Sequence, residues 1–161
     1  MKKCSNSFAA MCLGFGDSGK GVVTNSLCKQ YPNSLVIRYS GGQQAGHTVT
    51  LPSGLSHVFS NFGAGTLQGC PTNWSEFCTF DPVGMLVEFK LLQSKGFNPV
   101  IYINKNSPVT TPFEKHLNQI SDRDKGFGQT CGVGVGLTFA REEKFQSLLA
   151  GDLTNSVIFK L

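Results

Sequence analysis

The sequence predicts an α/β fold, a largely parallel sheet flanked by helices with phosphate-loop-like glycine turns. Three observations carry this. Short apolar runs alternate with stretches of helical periodicity along the chain. The first two apolar runs stop directly on glycine clusters, at Gly14 and at Gly41-Gly42. Pro and Gly then punctuate the ends of the helical stretches in the order expected of helix starts and stops. No internal repeat is visible, and 161 residues suit a single α/β domain over 1–161.

Taken in order, residues 9–13 read as a buried strand feeding a glycine loop. Residues 22–30 allow a helix, with Pro32 just beyond its end. Residues 35–39 form a second apolar strand. Residues 55–62 alternate, with Leu55, His57, Phe59 and Asn61 on one face, which makes an ambiguous strand. Residues 61–76, rich in Gly, Thr, Asn and Pro, read as loop. Pro82 opens a helix in which Met85, Leu86, Phe89, Leu91 and Leu92 recur at helical spacing, and Gly96 closes it. Residues 100–103 are a third strand. Thr111-Pro112-Phe113-Glu114 fits a capping box that starts a helix running to about Ser121.

The chain has 40% hydrophobic and 15% charged residues, which excludes a disordered or coiled-coil protein. A core covering roughly 70% of the unfolded surface is within reach at this length. The net charge of +4 suits phosphate-bearing ligands, but no run of four Lys or Arg marks a nucleic-acid surface. No stretch approaches the ~18 apolar residues of a membrane span, and Lys2-Lys3 is followed by too short an apolar run for a signal peptide. A cytoplasmic chain is expected. The six cysteines (Cys4, Cys12, Cys28, Cys70, Cys78 and Cys131) show no C-x-x-C pair and no His at metal-ligand spacing. They read as reduced, mostly buried thiols, with zinc excluded.

Three glycine loops carry the chemistry. Residues 14–21 nearly match G-x-x-x-x-G-K-[ST], in which convergent N–H groups and a helix N-terminus cradle phosphate and Lys20 adds charge. Gly21 lacks the hydroxyl that would hold Mg²⁺, and Asp17 is the candidate oxygen donor in its place. The bland alternative is a tight strand-to-helix turn. In the second loop, Gly41 to Thr48, the Gln43 and Gln44 amides suit a base or carbonyl. His47 there is a candidate general acid or, equally, a structural histidine. The third loop, Thr130 to Gly136, has a glycine at every second position. It reads either as backbone approaching a ligand or another chain closely, or as a strand edge or bulge. Asn104-Lys105-Asn106-Ser107 lacks the Asp of a guanine-reading N-K-x-D and reads as a solvated turn.

Together and in order, these loops resemble the adenylosuccinate synthetase family, whose members join IMP to aspartate using GTP. The family pattern W-G-D-E-G-K-G stands here as Phe15-Gly16-Asp17-Ser18-Gly19-Lys20-Gly21. R-Y-x-G-G-x-N-A-G-H-T stands as Arg38-Tyr39-Ser40-Gly41-Gly42-Gln43-Gln44-Ala45-Gly46-His47-Thr48. T-T-G-x-G-I-G and G-D-L stand as residues 130–136 and Gly151-Asp152-Leu153. Leu51-Pro52-Ser53-Gly54 and Asp81-Pro82 also look like family features, so the resemblance covers most of residues 13–153.

The resemblance implies an α/β nucleotide ligase of AMP biosynthesis. It casts Asp17 as the base at N1 of IMP and His47 as the acid helping the γ-phosphate of GTP leave for O6. It places Gly16, Ser18, Gly19, Lys20, Gly21, Gly46 and Thr48 at phosphates. Asp17 and the Gly46 carbonyl become ligands of Mg²⁺. Gln44, Thr130 and Cys131 fall in the IMP pocket, with Arg141 as a substitute for a family arginine. IMP, L-aspartate and GTP are the implied small-molecule substrates, with no nucleic acid or membrane partner, in a homodimer.

The departures are specific. Ser18 replaces Glu, Cys131 replaces Thr, and Val133 and Phe145 replace arginines of the long bacterial forms. The third loop is nearer the compact archaeal and phage-like branch. Members acting on dGMP carry Ser for the catalytic Asp, so Asp17 favours IMP. The family's guanine and aspartate sites lie beyond the segment matched, which leaves three readings: an N-terminal portion of the ligase, a non-catalytic IMP-binding remnant, or a viral-type synthase acting on dGMP.

Overall fold

A computed structural model describes residues 6–16, 18–39, 41–126, 130–144 and 147–154, the Lys125 side chain excepted. Three parallel strands form the central sheet: β1 (Val36–Arg38), β4 (Thr72–Trp74) and β5 (Ile101–Ile103), in the order β1-β4-β5. Val36, Thr72 and Ile101 share one register row, and Arg38, Trp74 and Ile103 another. A separate antiparallel hairpin pairs β2 (His47–Thr50) with β3 (Ser56–Phe59), setting His47 opposite Phe59. The helices are α1 (Lys20–Gln30), α2 (Pro82–Ser94), α3 (Pro112–Lys125) and α4 (Val135–Lys144).

The α/β class and the parallel sheet are as the sequence predicts. The ambiguous run 55–62 resolves into β3 over Ser56–Phe59, with His57 and Phe59 buried and Val58 exposed; past the strand both Asn61 and Phe62 are buried. Helix α3 starts on the full capping box, Phe113 N–H donating to Thr111 Oγ1 and Thr111 N–H to Glu114 Oε2. Burial opposes ionisation of Glu114, but the Thr111 hydroxyl and main chain and the Arg141 guanidinium outweigh it and hold the carboxyl below its usual value. The helix continues past Ser121 to Lys125.

Two expectations fail. Residues 9–13 form no strand, and Leu13 is 94% exposed. An apolar run becomes a strand only where another backbone pairs with it, and no described strand takes these residues as partners. Residues 61–76 are not a simple loop. They contain a buried 3₁₀ helix (Ala64–Gln68) and β4, the central strand of the sheet. Thr72-Asn73-Trp74 shows no period-two pattern because its burial comes from its central place, where the Thr72 hydroxyl accepts from Gly63 N–H at 2.8 Å. Helix α2 forms from Pro82 as the sequence predicts: Met85 and Leu92 enter the core, whereas Leu86 and Leu91 are exposed.

The core lies on one side of the sheet. Val49 and Phe59 of the hairpin, Phe62, Ala64 and Leu67, Trp74, and Met85 and Leu92 of α2 form one buried cluster. A carboxylate is built into its edge. Glu88 of α2 accepts from Ser60, Asn61 and Phe62 main-chain N–H groups and from Asn61 Nδ2. It also faces His57 Nε2 at 3.3 Å. Four amide donors satisfy a charge that burial would otherwise make very costly. The solvated-turn reading of 104–107 agrees in part: Asn106 N–H donates to Asn104 Oδ1 and Lys105 and Asn106 are exposed, but Ser107 is fully buried, its hydroxyl donating to Ser75 O at 3.0 Å. Cys28, Cys70 and Cys78 are buried free thiols, Cys12 is half-buried and Cys131 exposed, while Cys4 lies outside the described residues.

Candidate functional site

The three glycine loops converge beyond the carboxyl end of β1, where open parallel sheets bind ligands. The first loop leads into α1 through Gly19, whose φ of +74° suits glycine alone among common residues at an N-cap. No acidic residue occupies the first turn of α1, so its free N–H groups and Lys20 leave this end positive. Gly16, Ser18 and Gly19 are exposed. A Cβ placed on Gly14, Gly16 or Gly19 would meet nothing within 4 Å, so the loop surface is open. Asp17 lies outside the described residues.

Gly21 joins the first loop to the second. A Cβ there would lie 2.7 Å from His47 Cβ, so α1 packs directly against the start of β2. The residue type at the end of the phosphate-loop pattern is therefore set by contact with His47. Burial, then the charges of Arg38 and Lys20, push the His47 imidazole below its usual value. The shift favours the neutral ring, which keeps one N–H to donate. A bound polyanion would raise its proton affinity again.

The second loop is held from beneath by Arg38 and by Gln43, whose amide the sequence suggested for a base or carbonyl. Buried Arg38 lies 5.1 Å from the Trp74 ring centre and donates to Phe62 O at 3.4 Å and Gly42 O at 3.2 Å. Gln43 is buried, donating to Val133 O at 2.9 Å and accepting from Thr79 Oγ1 at 3.1 Å. Its amide therefore ties the second loop to the third and is spent on the protein. Gly42 leaves room for this junction, since a Cβ would fall 2.2 Å from Thr79 Oγ1. Gln44, Gly46 and Thr48 are exposed.

The third loop lies on α3. Asn118 Nδ2 donates to Thr130 Oγ1 at 2.9 Å and to Asp122 Oδ2 at 3.1 Å, and Asn118 Oδ1 accepts from Gly134 N–H at 3.0 Å. The Thr130 hydroxyl donates to Asp122 and accepts from Gly132 N–H, which with Asn118 uses all of its capacity. Gly134, with φ of +80°, sits where a Cβ would be 2.9 Å from Lys115 N. The described part of this loop is no strand edge or bulge; at Gly134 its backbone approaches that of α3 in the same chain, and an unpredicted helix, α4, starts there. Asn118 and Asp122 stand one helical turn apart, the spacing that could have marked them as a pair facing one neighbour.

Between the second and third loops lies a cleft of about 450 Å³, lined among others by Gln44, Thr130, Cys131, Asn118, Asp122 and Leu137. It thus unites three of the four residues assigned to the IMP pocket. Gln44 precedes His47 by three residues, so their Cα atoms lie within about 11 Å. Arg141 does not line this cleft. It bonds Glu114 Oε1 at 2.6 Å, Val109 O at 2.8 Å and Glu142 Oε1 at 3.0 Å. No lysine or arginine lines the cleft among the described residues. Neither do three or more His, Cys, Asp or Glu side chains cluster as metal ligands among the described residues. No described helix is long and apolar enough to cross a membrane.

A parallel sheet flanked by helices, with a glycine turn at the head of α1, defines an α/β protein. The family model described as adenylosuccinate synthetase matches residues 10–160. The chain belongs to the adenylosuccinate synthetase family. An adenylosuccinate synthetase from Chlorobium chlorochromatii is 27% identical, aligned over 98% of this chain and 37% of its own length. One from Borrelia duttonii is 25% identical over 94% of this chain and 35% of its own. Among solved structures, the fully ligated adenylosuccinate synthetase of Plasmodium falciparum superimposes with a TM-score of 0.75 at 20% identity. It covers 90% of this chain and 34% of that one. The cyanophage S-2L succinoaminodeoxyadenylate synthetase bound to dGMP and dATP gives 0.69 at 19% identity, covering 88% of this chain and 40% of that one. The chain spans about a third of the length of the curated relatives it matches.

Proposed function

We propose that this chain supplies the phosphate-loop and purine-monophosphate side of an adenylosuccinate synthetase, serving GTP-dependent condensation of IMP with L-aspartate in AMP biosynthesis. The observation that carries the reading is the packing of Gly21 on His47, with the Gln44–Thr130–Cys131 cleft opening three residues away. Asp17 removes the N1 proton of IMP, so that O6 attacks the γ-phosphorus and GDP departs. His47 donates a hydrogen bond to the oxygen bearing the departing charge. The aspartate amine then adds at C6, and phosphate leaves. Lys20, the exposed Gly16–Ser18–Gly19 turn, Gly21 and Thr48 hold phosphate oxygens, a reaction governed by positioning and charge.

Mg²⁺ fits this site by donor chemistry. One carboxylate, Asp17, and one main-chain carbonyl, Gly46, are hard oxygen donors of the kind it takes together with water and phosphate. When bound it would neutralise developing phosphate charge. Gln44 and Cys131 face the purine monophosphate, and Thr130 shapes the loop that receives it. Arg141 joins this set by exchanging its Glu114 contact for ligand. The working assembly is a homodimer in the cytoplasm.

The test is adenylosuccinate formation from IMP, GTP, aspartate and Mg²⁺, alongside IMP binding by calorimetry. Asp17→Asn should lower turnover by roughly 10²–10⁴-fold while leaving IMP affinity largely intact. Unchanged turnover would remove Asp17 from the base role. A second reading is a chain that binds IMP without turning it over. It predicts IMP binding with no activity and no effect of Asp17→Asn or His47→Asn. Tighter binding of dGMP than IMP would move the protein to the dGMP-using branch.

A further inference from the structure

Helix α1 buries two residues, Gly21 and Cys28. They stand seven positions apart, on one stripe of the helix, so α1 is seated on the fold at two points of one face. At the first, Gly21 packs on His47 with no room for a Cβ. At the second, the Cys28 thiol lies over Gly65 of the 3₁₀ helix, where a Cβ would fall 2.4 Å from Cys28 Sγ. Cys70 reaches the same glycine, its N–H donating to Gly65 O at 3.1 Å. Two buried free thiols thus gather at one glycine, and the Cys70 side chain stands against that of Cys28.

The two sides of this pair differ in freedom. Cys70 leads into β4, and sheet bonds fix the chain just beyond it. Val36 N–H donates to Pro71 O and Thr72 N–H to Val100 O, each at 2.9 Å. Helix α1 lies outside the sheet, with Val22, Val23, Lys29 and Gln30 exposed. A disulfide bond, at about 2.05 Å, is much shorter than any contact between two thiols. Closing it therefore draws α1 towards the 3₁₀ helix rather than moving the central strand. The Gly21–His47 contact has no slack to absorb the shift, so movement at Cys28 reaches the head of the helix, where Gly19 and Lys20 stand.

We propose that Cys28 and Cys70 form a reversible disulfide under a hydroperoxide, and that this bond shifts α1 and unseats its phosphate-binding head. The shift of α1 follows from the packing alone, whereas its effect on phosphate rests on the phosphate-loop reading. Two thiols and one hydrogen peroxide give one disulfide and two waters. The Cys70 sulfur, as thiolate, attacks a peroxide oxygen and the O–O bond breaks. Hydroxide leaves and takes up the proton that Cys70 released, and a sulfenic acid remains. The Cys28 sulfur then attacks Cys70 Sγ, the S–O bond breaks, and hydroxide departs with the Cys28 proton as water. Burial, then Cys70 beside it, push the Cys28 thiol up to about 12, which suits it to this second step. An external dithiol reverses the bond by exchange.

The test uses protein carrying Cys12→Ser, which removes the thiol beside the phosphate loop. It is compared reduced, after hydrogen peroxide, and after subsequent dithiothreitol. Non-reducing peptide mass spectrometry reads the cross-link. The ring-proton resonance of His47, assigned with His47→Asn, reads the seat of α1, and calorimetry with inorganic triphosphate reads the loop. Peroxide should link Cys28 to Cys70, move the His47 resonance and weaken triphosphate binding by about tenfold, and dithiothreitol should restore all three. Adding Cys28→Ser or Cys70→Ser should abolish the cross-link and make the other two readings indifferent to peroxide. Where serine costs folding, seen by circular dichroism, Cys28→Ala and Cys70→Ala carry the same comparison. Absence of the 28–70 link overturns the proposal. So does a link that leaves the His47 resonance in place, or equal triphosphate affinity in both forms. A link that moves His47 in protein that binds no triphosphate in either form upholds the thiol switch of α1 and removes the phosphate-loop reading.

Discussion

Gly21 and His47 touch so closely that a Cβ on Gly21 would lie 2.7 Å from His47 Cβ. This contact, between the first turn of α1 and the first residue of β2, registers the phosphate loop against the candidate acid. Gly21→Ser would complete the phosphate-loop pattern on paper. In the fold it should force β2 away from α1, destabilising the protein by about 1–3 kcal/mol, and should weaken phosphate-ligand binding. Thermal denaturation and nucleotide titration check both, and a neutral or stabilising Ser would show that α1 is free to move.

Buried His57 and half-buried His47 set an acid limit on stability. Lys95 Nζ lies 3.2 Å from His57 Nδ1, and that ammonium can only donate. The Nδ1 is therefore unprotonated, and Nε2–H donates to Glu88. Burial lowers the His57 pKa, outweighing the Glu88 contact that raises it, and burial also lowers that of His47. Both residues bind protons more readily in the unfolded chain. Their contribution is complete above the unfolded value of about 6.5 and lost as pH falls from there towards the lower folded values. Urea midpoints from pH 7.5 to 5 should decline, and His57→Gln should flatten the slope. A pH-independent midpoint would contradict this.

Glu88 is the keystone of the turn entering the 3₁₀ helix. Glu88→Gln keeps the shape but aims an amide donor at the N–H groups of Ser60, Asn61 and Phe62. Stability should drop by about 3 kcal/mol, the cost of leaving buried donors unmet. Calorimetric unfolding reads this, and a loss below about 0.5 kcal/mol would mean that the donors find other partners.

The cleft can be loosened without touching the phosphate loop. Asn118→Ala deletes the bonds to Thr130, Asp122 and Gly134 together. IMP affinity should fall roughly tenfold, equivalent to one or two lost hydrogen bonds, while Lys20-dependent phosphate binding stays. Lys20→Ala should do the reverse, weakening nucleotide binding and flattening its salt dependence. Equal effects of both variants on both ligands would mean that cleft and phosphate loop are not separate parts.

Thiol reactivity offers a check that needs no ligand. The Ser18 side chain first, then the main chain of Gly14 and Gly16, hold the Cys12 thiol below its usual value. Burial, with Cys70 beside it, pushes Cys28 up to about 12. Iodoacetamide at pH 7.5 should therefore label Cys12 well before Cys28, because the thiolate is the nucleophile. Mass spectrometry resolves the order.

The sequence by itself determined those features that local chemistry dictates. Pro82, Gly96 and the Thr111–Glu114 capping box mark helix ends because they answer unsatisfied backbone groups within a few residues. Glycine clusters after apolar runs identify the loops, and with Arg38 to Thr48 they identify the family. Tertiary structure decided the rest. Thr72-Asn73-Trp74 is the central strand only because β1 and β5 flank it, and residues 9–13 are no strand because nothing described pairs with them. Gln43 rather than Gln44 is spent on the scaffold, and Arg38 is a buried strut, through partners up to 90 residues away. Burial and pairing are properties of neighbours brought together by the whole chain, and no window of the sequence contains them.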